Sequence, residues 1–216
     1  MSRFIAMFGF ITTLFICLFS TDAIAQKKQL RDSLVEDFRS GTLIIRLKSH
    51  EKKLDAIESE IDRSSTSPSY KKRLSNERDL IIANRDRFNQ DLVTTFSEKY
   101  TFSKVRFMYD KEAEELRNGG QNAVFVGTDL RPIENAKPLI GPFYFYGEAY
   151  TEVPGNSRAG LLVMDKNLDQ LPSWFPSFFR AKKNVKAFFS TFGGDGYNYL
   201  EADKLVAKLS KRLEAL

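Results

Sequence analysis

Cysteine and histidine each occur once in this 216-residue chain, as Cys17 and His50. A single thiol rules out a disulfide framework, a CxxC redox pair and a cysteine-ligated metal site. A single imidazole excludes histidine-rich zinc sites, and the HExxH pattern is absent. Only 12 glycines and 7 prolines are present, too few for a collagen-like or low-complexity chain. No P-loop, no complete GxGxxG and no G-x-S-x-G elbow occurs; Gly155-Asn156-Ser157-Arg158-Ala159-Gly160 has the wrong spacing for the last and reads as a turn.

The apolar residues begin with a leader. Arg3 gives a positive start, Phe4 to Phe19 is apolar except for Thr12 and Thr13, and Ala23-Ile24-Ala25 places small residues at a cleavage site. This pattern predicts a secretory signal peptide over residues 1–25 and an exported, periplasmic or secreted product. The run is shorter than the roughly 20 residues that span a bilayer. Cys17 opens a lipoprotein alternative, but Ile16 stands where that signal needs a small residue. Cleavage after Ala25 leaves a thiol-free chain of single-domain size, residues 26–216.

Charge points away from nucleic acid. The 33 Lys and Arg against 28 Asp and Glu give a net +5, spread over both ends without a basic stripe or a recognisable nucleic-acid module.

Periodicity predicts the elements of the mature chain. Leu30, Leu34, Val35 and Phe38 share one helical face over about residues 28–39, with Gly41 as a stop. Thr42 to Leu47 (TLIIRL) is apolar on both faces and reads as a buried strand. Ser49 to Lys99 reads as a helical hairpin broken at Ser64–Ser69. Its ten basic and ten acidic residues interleave as on solvated, coiled-coil-like helix faces. Its few apolar positions favour a pair lying on the sheet over a projecting arm.

Strands are expected at 102–109, 122–126, 142–152, 160–165 and 185–192. A short acidic helix is expected over 110–118 and an amphipathic one over 200–213. The order implies an α/β protein: a mixed sheet with helices on both faces, a helical-hairpin excursion and a loosely thioredoxin-like outline. The leader, the Gly41–Leu47 strand with its charged helical sequel, the Phe102–Asp110 strand and the Leu161-Leu162-Val163-Met164 strand before an aromatic-proline segment together resemble exported proteins of Bacteroidota with no assigned activity. That resemblance implies export and supplies no catalytic residues.

Three features could carry function. Leu171 to Phe179 (LPSWFPSFF) is followed by Arg180, Lys182 and Lys183; as a helix it would put Trp174, Phe175, Phe178 and Phe179 on one cation-bordered face, suited to a protein partner or an envelope surface. A loop that covers the edge of a core would show the same prolines and aromatics and is the more frequent place for large aromatics. Gly193-Gly194-Asp195-Gly196 could approach an anion but matches a plain turn better. Asp110, Glu148, Glu152 and Asp165 lie near strand ends, where a pair could act as general acid and base. His50 sits where a strand joins a helix, a place for an exposed or capping side chain. These readings favour non-catalytic binding or scaffolding in the cell envelope, with no cofactor, metal or catalytic residue assigned. A carboxylate-dependent hydrolase of an envelope polymer is the alternative.

Overall fold

The computed structural model describes residues 26–119, 123–150, 159–176, 178–179 and 202–216. The leader, the expected strand at 185–192 and the Gly193–Gly196 cluster lie outside them. A helix over residues 26–40 (α1) leads into β1 (Thr42–Leu47), α2 (Glu51–Asp62), α3 (Pro68–Lys99) and β2 (Lys104–Tyr109). A 3-10 turn (Asp110–Glu112) then runs into α4 (Ala113–Arg117), followed by β3 (Phe125–Val126), β4 (Phe143–Tyr150), β5 (Ala159–Met164), β6 (Phe178–Phe179) and α5 (Ala202–Glu214).

The sheet has the order β3-β2-β1-β4-β5-β6. β1 pairs in parallel with β2 on one side and β4 on the other; the outer pairings are antiparallel. The apolar run of β1 explains its central place, because a strand covered on both faces cannot afford the polar half of an alternating pattern. Gly41 makes the entry possible: a Cβ there would come within 2.6 Å of the carbonyl oxygens of Asp37 and Pro142. This mixed α/β architecture is compatible with the loosely thioredoxin-like outline.

Helices cover the two faces unequally. Leu43, Ile45, Leu47, Tyr146 and Val163 look toward α1, α3 and α5, meeting Phe38, Leu92, Phe96, Val206 and Leu209. Ile44, Met108, Phe145 and Leu162 look the other way, where the short α4 supplies Ala113 and Leu116 and loops supply the rest. Each fully buried aliphatic or aromatic side chain on these faces contributes about 1.5–3 kcal/mol.

The helical hairpin departs from expectation. α3 has 32 residues and so runs about 48 Å. Phe88, Leu92, Val93 and Phe96 in its last third are buried in the core, whereas Leu74 is the buried residue of the rest. Asn89 is fastened to Lys48 at the end of β1, so the stretch from Pro68 to Arg87 continues past the sheet for about 30 Å. Beside it α2 packs Ile57, and Glu58–Arg78 and Lys53–Glu77 ion pairs close the two helices at 3.1 and 3.3 Å. The hairpin thus lies on the sheet only at its base, because that is where α3 carries apolar residues. Ser67 caps α3 by accepting from the Tyr70 N–H, and Pro68 begins the helix where its missing N–H costs nothing.

Candidate functional site

The aromatic segment is not a helical docking face. Phe175 is buried at 2% exposure, its ring 5.0 Å from that of Phe38, in a turn closed by the Phe175 N–H on the Pro172 carbonyl. Trp174 is half-buried, packed edge-on to Phe175, with the Arg31 guanidinium 5.5 Å from its ring centre. Phe178 and Phe179 are extended and pair with Leu162 and Leu161; the open edge of β5 satisfies this backbone better than a helix interrupted at Pro176 could. Arg180, Lys182 and Lys183 lie outside the described residues. Phe175 is therefore a core residue, as a loop covering the edge of a core would have it, and is removed from the candidate binding face.

The carboxylates divide between the two ends of the sheet. Asp165 follows β5 at the end where Met164 pairs with Phe145, and it holds a turn by accepting from the N–H groups of Asn167 and Asp169. Glu152 lies outside the described residues. Asp110 and Glu148 come together at the carboxyl ends of the parallel strands, around Lys48-Ser49-His50. Such strand ends are the usual ligand side of an open α/β sheet.

Each group there has a structural partner. The Lys48 ammonium lies 2.6 Å from a Glu148 oxygen and 4.6 Å from the Phe88 ring centre. Asp110 accepts the Ser49 N–H at 3.1 Å, and Arg85 donates to the Ser49 carbonyl. His50 occupies the N-cap of α2 in the left-handed region, with φ 54°, and makes no side-chain cap hydrogen bond. Partial burial, reinforced by Lys48, lowers its pKa from the ordinary histidine value against the opposing pull of Asp110 and Glu148. On the other face Arg46 stands against Gly147, and burial lowers its pKa as well. These contacts hold the turn from β1 into α2. They leave Glu148 neutralised by an ammonium and one Asp110 oxygen occupied by backbone, a poor arrangement for general acid–base work.

A groove of about 530 Å³ runs along the outer edge of β2. β3 pairs only with Phe107 and Met108, so among the described residues Lys104 to Arg106 have no strand outside them. Phe96, Tyr100, Val105, Phe107 and Val126 line one wall of the groove, and Phe125, Ile133, Ala136 and Lys137 the other. The Tyr100 hydroxyl meets Ser103 at 3.0 Å, and burial raises its pKa. Arg106 stacks over Phe125 and donates to the Lys137 carbonyl. Sequence reasoning placed β2 and missed the groove, because its existence depends on how soon β3 ends. The signal that could have found it is Gly127-Thr128-Asp129, a turn that allows the preceding strand no further pairing. A smaller hollow of about 290 Å³ between α2, α3 and the end of β2 is bordered by the Lys111–Glu51 ion pair.

Among the described residues no three His, Cys, Asp or Glu side chains converge as for a metal, and no helix is long and apolar enough to cross a membrane. No family model, curated protein or solved structure matches the chain.

Proposed function

We propose that this chain is an exported cell-envelope protein that acts by non-catalytic binding or scaffolding, engaging its partner along the outer edge of β2. The observation that carries the reading is the apolar groove beside Lys104 to Arg106, which pair with β1 on one side and, among the described residues, meet no strand on the other, since an open strand edge with an apolar trough is a template for a further chain. The projecting hairpin adds a second exposed surface on which a scaffold could act. The hydrolase alternative draws on the meeting of Asp110 and Glu148 beside His50, but the partners those groups already hold weigh against it.

A thiol-free mature chain makes the test direct. Ile133 in the groove and Leu80 on the hairpin are both exposed, at 48% and 46%. Ile133→Cys and Leu80→Cys, each carrying a thiol-attached photocrosslinker, are illuminated in native envelope. A discrete adduct at position 133 is expected. An adduct only at position 80 would move binding to the hairpin, and no adduct at either would defeat the binding reading. Release of soluble fragments from an envelope polymer, lost in Glu148→Gln, would favour the hydrolase.

A further inference from the structure

We infer that the β2 groove receives an extended segment of a protein partner, added to the sheet as a strand, in which apolar residues alternate with acidic ones. The inference rests on the binding reading above and names its ligand chemistry.

The backbone supplies the first half of the argument. Phe125 accepts the Ile133 N–H and Gly127 donates to the Arg131 carbonyl, at 2.9 and 2.8 Å. Those two residues of the β3 segment therefore face away from β2, and Val126 between them faces Phe107. Alternation by two makes Val105 the next residue of β2 whose N–H and C=O point outward. The chain has by then left the edge, in the turn closed by the Leu130 N–H on the Gly127 carbonyl. Among the described residues nothing takes either group of Val105. A strand laid here would meet an obligatory donor and acceptor already aimed at it.

The side chains supply the second half. A strand on this edge turns alternate residues to opposite faces of the sheet. On one face it meets Val105 beside Phe96 and Tyr100, an apolar wall. On the other it meets Lys104 and Arg106, with Lys137 brought alongside by its hydrogen bond to Arg106. Lys104 and Lys137 are exposed. Apolar residues toward the first wall and carboxylates toward the second complement both. The opposing account is that these cations only guard the edge against association, as lysines on edge strands do. A guard excludes acidic and basic strands alike.

The test titrates the mature full chain with two nonapeptides, one alternating valine with glutamate and one alternating valine with lysine, following backbone amide shifts. The glutamate peptide should bind saturably, shifting Val105 and Phe107, and roughly tenfold more tightly than the lysine peptide, as two or three cross-strand charge pairs imply. Val105→Pro removes the outward N–H without touching the β1 ladder and should abolish binding. Lys104→Glu leaves Arg106 and Lys137 in place and should reduce the preference for the glutamate peptide severalfold, which a merely structural lysine would not do. Equal binding of both peptides, or shifts elsewhere, would overturn the inference while leaving the binding reading intact. The same holds if neither peptide binds and the adduct at position 133 persists. Concentration-dependent dimerisation through these amides would overturn it in favour of a second copy.

Discussion

Asn89 in α3 clasps both backbone polar groups of Lys48: its Nδ2 donates to the Lys48 carbonyl at 2.8 Å and its Oδ1 accepts the Lys48 N–H at 2.9 Å. Lys48 has stepped off the end of β1 and Asn89 is fully buried, so the amide does for this backbone what a neighbouring strand does for Leu47. Asn89→Ala strands a buried donor and a buried acceptor, and a loss of about 3 kcal/mol is expected. Asn89→Asp keeps the acceptor, loses the donor and buries a charge, and should cost at least as much. Guanidinium unfolding of both variants measures this; a change below about 0.5 kcal/mol for Asn89→Ala would show that water replaces the clasp.

What the sequence disclosed follows the range of the interactions involved. The strand Thr42–Leu47 was legible because a run apolar on both faces fits only the middle of a sheet. The terminal helix was legible from Leu205, Val206, Leu209 and Leu213 on one face. Phe175 stood open between core and surface, because a Trp-Phe pair between prolines looks the same whether it caps a core or faces a partner; only Phe38, far away in sequence, decides. The base of α3 escaped for a similar reason, since Phe88 and Phe96 show a buried face without showing how much helix continues beyond it. The β2 groove was missed because it is a property of where β3 stops, for which the turn residues Gly127-Thr128-Asp129 are the one local trace.

Gly147 faces Arg46 across the β1–β4 ladder so closely that a Cβ would lie 2.8 Å from the arginine's own Cβ. Gly147→Ala must push the two strands apart, and a cost of about 1–3 kcal/mol is expected. Arg46→Ala should not relieve it, since the conflict is between Cβ atoms, whereas Arg46→Gly should. A double-mutant cycle checks this: Gly147→Ala should cost less in the Arg46→Gly background than in the native one. Equal costs in both backgrounds would place the strain elsewhere.

Phe175 separates a core role from a docking role by stability alone. At 2% exposure and in ring contact with Phe38, Phe175→Ala should cost about 3–5 kcal/mol. Trp174→Ala, at a half-buried ring, should cost less. Thermal and denaturant melts of the two variants settle the order. A Phe175→Ala protein as stable as the native one would return that ring to the surface.

His50 gives the fold a calculable response to acid. Its pKa in the folded chain lies below the ordinary value of 6.5, from partial burial first and Lys48 second. On acidification the unfolded chain therefore takes up the proton before the folded one, so the unfolded state binds more protons and stability falls with pH. The contribution is complete above pH 6.5 and drains away as the pH drops through the lower folded value. His50→Asn keeps a residue that tolerates the left-handed backbone at φ 54° and removes the titration. The native protein should lose more stability than His50→Asn between pH 7 and pH 5, while the remaining carboxylates shift both curves together. Urea midpoints at half-unit pH steps read out the difference. A native-minus-variant stability that rises as the pH falls would mean that the charged imidazole is favoured in the fold, with Asp110 and Glu148 outweighing burial and Lys48.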